Sequence, residues 1–564
     1  MNSTPRKSSA STLMLLASIT LFLCWLAPGH YYPWVMFQNE FTAAVAALLF
    51  GAAALASGPG ATRWPTLSSF ALLAALVAAA QLALGQIGFM SDGLLAALFL
   101  TGFALSMVVG ATLAETQAEE FLGGVCGALL AAGLVCAGMA AFQWLQIGEA
   151  PYVAWIPPGE RPIANLAQPN HLASLLAMAL LAALWLYEKQ RIGGRALWLV
   201  ALWLGLGLVM TRSRTTWVAV PLFALGWFLM QRRAPLRLRA PPLLAWLALF
   251  GLGVLLWGPF SEALGTVAPI TVEQRVQAGG GRLRIWAVLL EGLRESPWVG
   301  YGWSQVSQAG LAGSAQHFTG ETMLRNSHNM LLDLLLWNGV PLGLLFIGAL
   351  AWWWWAQLRA CASAERWVLL SAIGVVFVHA MFEFPLEYLH FLLPVGLLMG
   401  ALDTSVTQHG AVRRVPRAAV ALALAGLTGA TAWIGVEYLR VEEGSRENRM
   451  LAAGYASSAN LPDVTLLDEP REYMRFWRTQ ARAGMTDAEL VWMRKVVERN
   501  PAPPTLLRYA IAMGLNGRPN EATQTLVQLC NMHRVSSCAE GRKSWGVAQE
   551  RFAPLRSVPY PPAR

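Results

Sequence analysis

The chain has 564 residues, of which 56% are hydrophobic and 13% are charged, and its net charge is +9. Soluble proteins carry about 25% charged residues, so this composition excludes a soluble enzyme and predicts an all-α protein that crosses a membrane many times. The basic residues are nearly all arginines and are scattered between apolar segments. Without a continuous basic stripe, the chain is not expected to have a nucleic-acid partner.

About 20 apolar residues cross the hydrocarbon core of a bilayer as a helix, and this length identifies the predicted spans. They lie at 11–27, 41–57, 66–84, 93–113, 121–145, 170–187, 196–210, 214–230, 241–258, 330–355, 366–382, 386–402 and 418–438. Two neighbouring pairs, 196–210 with 214–230 and 366–382 with 386–402, are joined by very short links. The sequence therefore predicts about 12–13 transmembrane helices.

Lysine and arginine are enriched in cytoplasmic loops, so the basic residues predict the orientation. With a cytoplasmic N-terminus, inner loops carry Arg6, Lys7, Arg63, Lys189, Arg191, Arg195, Arg232, Arg233, Arg237, Arg239, Arg359, Arg366, Arg413, Arg414 and Arg417. Only the acidic loop 114–120 breaks this pattern. The orientation places residues 146–169, 211–213, 259–329 and the tail from about 440 outside the cytoplasm.

The composition divides the chain into two domains. Residues 1–440 form a transmembrane domain that includes the long outer loop 259–329, and residues 441–564 form a small, polar, helical domain. In the second domain, Thr486 and Glu489 have capping-box spacing. Two helices, about 504–515 and 520–532, resemble one tetratricopeptide unit. Cys530 and Cys538 lie in this tail, and the sequence leaves open whether they form a disulfide.

The long outer loop contains a predicted amphipathic helix. From Arg282 to Glu295 the apolar residues recur at helical spacing, and Pro297 ends the run. We expect this helix to lie on the outer membrane face. Arg282 and Trp286 are one turn apart and share a face, so Arg282 could hold a bound phosphate or simply anchor the helix at lipid headgroups.

His328 lies where this loop becomes the apolar segment 330–355. Unpaired N–H groups at a helix N-terminus favour anions, and a neutral imidazole can take a proton from a hydroxyl. Asn326, Ser327 and Asn329 flank it, and Asp333 follows in the helix. The alternative is a histidine that merely anchors the helix at the membrane interface.

Arg212 and Arg214 start the span 214–230 and alternate with hydroxyl residues in the segment Thr211–Thr216. Guanidinium groups with neighbouring hydroxyls make a good phosphate clamp. The alternative for at least one of the two arginines is again anchoring at the membrane interface.

Other polar residues belong to the same outer side. His30 and Trp34 could be an aromatic belt, Gln168 and His171 could be a helix start at Pro169, and Glu383 could pair with an arginine. Each is a weak signal alone, but their shared side supports a site there. The chain lacks a phosphate-binding GxxxxGK[ST] motif, HExxH and Asp-x-Asp. We therefore expect no metal and no cofactor, and a donor whose phosphate is carried on a lipid.

The segment Ser327-His328-Asn329 before a membrane helix, Arg282 four residues before Trp286, and Gly300-Tyr301-Gly302-Trp303 resemble the O-antigen ligase and polymerase superfamily of bacterial envelopes. This resemblance implies a catalytic role for His328 and donor diphosphate binding by Arg214 and Arg282. The first outer loop, Gln168–His171, the segment His379–Tyr388 and the outer helical domain resemble the protein O-oligosaccharyltransferase branch. Arg212, Asn329, Gln168, His171, Glu383, His30 and Trp34 are then supporting residues.

The resemblance implies a multi-pass enzyme of the bacterial inner membrane with its C-terminal domain in the periplasm. Its donor would be an undecaprenyl-diphosphate-linked oligosaccharide, transferred en bloc to Ser or Thr of a pilin or another periplasmic protein. The reaction would be metal-independent and would invert the anomeric centre. Two alternatives stay open: an O-antigen ligase or polymerase with a sugar acceptor, and a lipid-glycan transporter. A transporter predicts polar groups near the midplane and internal repeats, which the sequence does not show.

Overall fold

The computed structural model describes residues 4–28, 32–58, 61–266, 281–320, 324–403, 413–455 and 460–562, with only the backbone described for residues 4–8. Within these ranges the α-helices up to residue 403 are α1 Thr4–Cys24, α2 Phe37–Ser57, α3 Thr66–Ala83, α4 Met90–Thr116, α5 Ala118–Leu145, α6 Pro169–Glu188, α7 Gly194–Thr211, α8 Arg214–Met230, α9 Ala240–Ala263, α10 Gly281–Glu295, α11 Val306–Ser314, α12 Met330–Arg359, α13 Ala364–Ala380 and α14 Leu389–Asp403. The described α-helices after residue 412 are α15 Arg417–Ala452, α16 Asp468–Arg478, α17 Asp487–Arg499, α18 Pro503–Leu515, α19 Pro519–Met532 and α20 Val535–Arg551. Two strands, β1 Ala61–Arg63 and β2 Arg414–Pro416, pair antiparallel.

The predicted all-α membrane architecture is confirmed. In the described part of the chain, nine helices are long and apolar enough to cross a membrane. Each of the thirteen predicted spans coincides with a helix, and some helices extend further than predicted. Helix α9 continues to Ala263, so the outer loop begins later than residue 259, and α15 runs without interruption through residue 440.

The chain forms two compact units. The first unit comprises Met1–Leu73, Phe99–Arg275 and Ala349–Trp433, and the second comprises Ala74–Leu98, Val276–Gly348 and Ile434–Arg564. Helix α6 lies in the core of the first unit, where nearly all its side chains from His171 to Leu186 are buried. The C-terminal helices build the core of the second unit around Phe476, Met493 and Trp545.

At one end of the first unit, carboxylates of the loop 114–120 neutralise basic residues. Glu115 forms ion pairs with Arg63 at 3.0 Å and with Arg414 at 3.4 Å. Glu119 pairs with Lys189 at 2.6 Å and with Arg191 at 2.9 Å. The acidic loop 114–120, which interrupted the charge pattern, therefore lies beside basic loops that were predicted to be on the same side of the membrane. Its carboxylates balance the charge of those loops.

The predicted continuous span 330–355 is wrong in one respect, because α12 is broken at Gly339 (φ 74°, ψ 173°). Pro341 has no N–H to donate to the Trp337 carbonyl, so a helix cannot continue regularly there. The loop before α11 supplies the missing donors: Tyr301 N donates to Leu336 O at 2.7 Å and Gly302 N to Trp337 O at 3.1 Å. The segment Met330–Asn338 is thus a separate short helix.

Helix α10 confirms the amphipathic helix predicted from Arg282 to Glu295, and its buried side chains include Ile285, Val288 and Leu289. Its expected contact with lipid is wrong for this apolar face, because α11 packs against it. A Cβ on Gly292 would lie 2.3 Å from the Ala309 carbonyl oxygen, so the two helices approach closely enough to require glycine. The apolar stripe serves protein packing.

The C-terminal helices follow the predicted local signals. Thr486 and Glu489 form the predicted capping box at the start of α17. The helices α18 and α19 turn at Asn516–Arg518, close to the predicted bounds. Cys530 and Cys538, whose pairing the sequence left open, form a disulfide that joins α19 to α20. A tetratricopeptide-like character of this pair stays a prediction.

Candidate active site

The segment Ser327–Asn329 precedes α12 and is fixed from its C-terminal side. Asn329 caps the helix, since its Oδ1 accepts hydrogen bonds from Leu331 N at 3.0 Å and Leu332 N at 3.2 Å. His328 lies just before this cap with φ 57°, a left-handed conformation that is uncommon for residues other than glycine. Its side chain is half-buried. His328 therefore directly precedes a capped helix start.

Asp333 holds the residue before His328. Its side chain is only 2% exposed, and its Oδ1 accepts a hydrogen bond from Ser327 N at 3.0 Å. The Ser327 hydroxyl donates to Asn329 O at 2.8 Å. Asp333 is recognisable in the sequence as an ionisable group in a helix, but no local pattern indicates that its carboxylate holds the residue before His328.

Trp286 connects the histidine segment to α10. Its Nε1 donates a hydrogen bond to Ser327 O at 2.8 Å. Arg282 lies one turn earlier on the same face of α10, and both side chains are half-buried. The structure therefore brings Arg282 and His328 into the same unit and turns the helix face that carries Arg282 toward the histidine segment.

Arg214 is the first residue of α8 in the first unit, and Ser213 precedes it as the N-cap. The Ser213 hydroxyl donates to Asn170 Oδ1 at 2.9 Å, and Asn170 Nδ2 donates to Glu383 Oε1 at 3.2 Å. Three segments that sequence analysis considered separately are thus joined by hydrogen bonds at the start of α8. Arg212 has φ 48° and donates from Nη2 to Gly159 O at 3.4 Å.

Arg214, one of the two arginines predicted to bind the donor diphosphate, is the first residue of α8. The first N–H groups of a helix have no partner within the helix, and the helix dipole adds positive potential at this end. The Arg214 guanidinium therefore lies where the backbone also favours an anion. Arg282 is the second described residue of α10, and the residues directly before this helix lie outside the described part of the chain.

The His171 side chain is fully buried and lies in the interior of the first unit. Its Nε2 lies 2.9 Å from Gln168 Nε2 in a hydrogen bond, and its ring packs edge-on against Tyr388 at 4.7 Å between centroids. Gln168 is the N-cap of α6 with Pro169 following it, as the sequence predicted. Both side chains therefore support the helix start that places Asn170.

Trp34 supports a contact between two membrane helices. Its Nε1 donates to Glu40 Oε1 at 2.9 Å, and Glu40 Oε2 accepts from Leu389 N at 3.3 Å. Trp34 therefore helps to hold the start of α2 against the start of α14. His30, predicted beside it, lies outside the described residues. Among the described residues, no three His, Cys, Asp or Glu side chains come close enough to hold a metal ion.

Three family models match the chain in consecutive regions. The model described as protein glycosylation ligase matches residues 162–187, and the O-antigen ligase model matches residues 199–347. The model of the virulence factor membrane-bound polymerase, C-terminal, matches residues 367–542. The region of the O-antigen ligase model includes Arg212, Arg214, Arg282 and His328, and the region of the glycosylation ligase model includes Gln168 and His171.

Two curated proteins of Acinetobacter baylyi are similar to the chain. The general O-oligosaccharyltransferase is 31% identical over 540 residues, which is 93% of this chain and 92% of that protein. The chain belongs to the bacterial protein O-oligosaccharyltransferase family. The ComP-specific O-oligosaccharyltransferase is 29% identical over 246 residues, 43% of this chain and 44% of its own length.

Membership in the O-oligosaccharyltransferase family makes this chain a multi-pass membrane glycosyltransferase. The expected resemblance to the O-antigen ligase and polymerase superfamily, and to its protein-glycosylating branch, is thereby confirmed. The roles of individual residues, His328 first among them, remain predictions.

Proposed function

We propose that this oligosaccharyltransferase moves a glycan en bloc from undecaprenyl diphosphate to a Ser or Thr hydroxyl of a pilin or another periplasmic protein. The observation that carries the proposal is the geometry around His328. His328 has a half-buried imidazole and a left-handed backbone conformation. The residue before it, Ser327, is held by Asp333 and by Trp286 of the helix that carries Arg282. The names of the two relatives support transfer of an oligosaccharide to an oxygen atom, and the matching protein glycosylation ligase model supports a protein acceptor.

The chemistry requires one general base and fixed positive charge. His328 takes the proton of the acceptor hydroxyl, whose oxygen forms a bond to the anomeric carbon. The bond from that carbon to the diphosphate breaks, and its electron pair leaves with the phosphate. Arg214 and Arg282 stabilise the charge that grows there, and losing one such donor typically costs about 100- to 1000-fold in rate.

A diphosphate is a good leaving group, so the step needs neither a general acid nor a metal. A single displacement inverts the anomeric centre. The groups that contact the substrate are supported by a second set of residues: Asn329, Arg212, Gln168, His171, Glu383, Trp34 and His30.

The proposed location is the bacterial inner membrane, with a cytoplasmic N-terminus and the helical domain 441–564 in the periplasm. The disulfide between Cys530 and Cys538 supports this orientation, because disulfides form and persist in oxidising compartments. The basic inner loops support it independently.

In vitro transfer with purified chain and lipid-linked oligosaccharide tests this function. We expect a pilin acceptor to receive the glycan in the presence of EDTA and without any nucleotide. Transfer to lipid A-core or to a second lipid-linked glycan, and none to protein, would instead favour the ligase or polymerase alternative. If the glycan crosses a vesicle membrane and is transferred to no acceptor, the chain is a transporter and the proposal is wrong.

A further inference from the structure

The chain between α11 and α12 is bound to the C-terminal helices of the second unit. Thr319 N donates to Asn531 O at 2.9 Å, and its hydroxyl donates to Met532 O at 2.7 Å. Asn531 Nδ2 returns a hydrogen bond to Ser314 O at 2.9 Å. Leu311 of α11 is buried in the core formed by the C-terminal helices. These contacts hold the segment that leads to His328.

A second attachment lies closer to the histidine. Arg325, three residues before His328, donates from Nη2 to Asn500 Oδ1 at 2.5 Å. Asn500 is the residue after α17 and is 2% exposed. Its Nδ2 donates to Glu469 Oε1 at 2.5 Å, so both ends of the amide are used. Arg325 is therefore held by a side chain that is itself fixed.

The same cluster contains a two-point ion pair. Arg499 donates from Nε to Asp92 Oδ2 at 2.7 Å and from Nη2 to Asp92 Oδ1 at 3.0 Å, and both side chains are largely buried. Gln305 Nε2 donates to Asp92 Oδ2 at 3.2 Å. Asp92 and Glu469 thus lie close to both Arg325 and Arg499. Such planar two-point pairs fix geometry as well as charge.

Helix α16 is attached to the start of α4 by an independent contact. Asp468 accepts hydrogen bonds from Met90 N at 3.0 Å and Ser91 N at 2.9 Å, which satisfies two unpaired donors of α4. Burial raises the pKa of the neighbouring Glu469 carboxyl above its ordinary value. The cluster is thus joined to the framework of the second unit on several sides.

We propose that Arg325, held by Asn500 and the charged cluster around it, positions the His328 segment for transfer. Arg325 is a positioning residue, and the C-terminal helices are then part of the catalytic apparatus. The inference rests on the proposed function, because it assigns a role toward His328 in that reaction.

The physical reason is the short distance along the chain between Arg325 and His328. Asn329 caps α12 directly after His328, and Asp333 and Trp286 hold Ser327 directly before it. Arg325 attaches the chain two residues before Ser327 to Asn500. A group displaced by about 1 Å from its productive position can cost about 100-fold in rate. Releasing Arg325 removes this attachment, so the segment can shift from that position although the His328 side chain itself is unchanged.

The test compares Arg325→Met, Asn500→Ala and Arg325→Lys in the full-length chain. The matched control is Arg482→Met, which breaks an exposed ion pair with Glu489 in the same helical region. For each variant, kcat, KM for the lipid-linked oligosaccharide and the midpoint of thermal unfolding are measured. We expect kcat to fall about 10- to 100-fold in Arg325→Met and Asn500→Ala.

In Arg325→Met and Asn500→Ala, KM for the lipid-linked oligosaccharide should stay within about twofold of wild type. Arg325→Lys should recover part of kcat, and the control Arg482→Met should keep the wild-type kcat. These outcomes support a positioning role. A wild-type kcat in Arg325→Met would overturn the positioning role. So would a loss of kcat that in all three variants merely parallels the fall in the unfolding midpoint. An inactive wild-type chain would instead contradict the proposed function itself.

Discussion

His328 depends on residues that lie far from it in the sequence. The histidine, its helix and the arginine one turn from Trp286 could be predicted, because local spacing and polarity determine them. The hydrogen bond from Trp286 to Ser327 joins residues 41 positions apart, and no local pattern indicates it. The groups proposed for the chemistry are therefore predictable from the sequence, whereas the contacts that hold them form only on folding.

Arg282→Lys tests the diphosphate role at the residue scale. An ammonium retains the charge but loses the planar pair of donors that suits phosphate oxygens. We expect kcat/KM for the lipid-linked donor to fall about 10-fold or more, since hydrogen bonds to charged groups are worth roughly 1.5–3 kcal/mol. The measurement is the transfer rate at several donor concentrations.

The control for this substitution is Arg294→Lys on the same helix, where the side chain is 78% exposed and pairs with Glu291. It should retain full activity. Full activity in Arg282→Lys as well would return Arg282 to the role of a membrane anchor.

Among the helices, α12 shows what hydropathy cannot predict. The segment 330–355 is apolar throughout, so its composition predicts one span and correctly places its start and approximate end. The break at Gly339 depends on Pro341 and on donors from the loop 297–303. Proline alone indicates a kink, but only the folded loop shows which groups satisfy the freed carbonyls.

Gly300→Ala tests this arrangement at the element scale. Gly300 has φ 69°, and an added Cβ would lie 2.5 Å from both Leu336 O and Gly339 N. We expect a loss of about 1–3 kcal/mol in stability, because neither backbone atom can move away cheaply. Thermal unfolding of the purified protein measures it.

Gly546→Ala is the matched control, since an added Cβ there meets nothing within 4 Å. This substitution lies inside α20 and should leave the unfolding midpoint unchanged or slightly raised. Equal midpoints for Gly300→Ala and wild type would show that the loop does not need the glycine.

For the whole molecule, the charge pattern predicted which loops belong together. In the first unit, basic inner loops and the acidic loop 114–120 form ion pairs at one end. Residues predicted on the other side, such as Asn170 and Glu383, contact each other as well. The sequence could not explain the acidic loop, because its partners are brought together only by folding.

Cysteine labelling tests the proposed orientation. Lys495 and Arg232 are exposed, and the four free cysteines in the described part of the chain are buried, so background labelling should be low. We expect a membrane-impermeant maleimide to label Lys495→Cys in intact spheroplasts. Arg232→Cys should react only after permeabilisation. The reverse pattern would contradict a cytoplasmic N-terminus and a periplasmic helical domain.

The most direct test of the account is the glycan-transfer rate of His328→Ala, measured with lipid-linked oligosaccharide and a pilin acceptor. The control is His317→Ala, an exposed histidine of the same unit. We expect His328→Ala to insert normally and lose at least about 100-fold in rate, as for a missing general base, while His317→Ala transfers like wild type. Transfer by His328→Ala at the wild-type rate would contradict the assignment of the catalytic base.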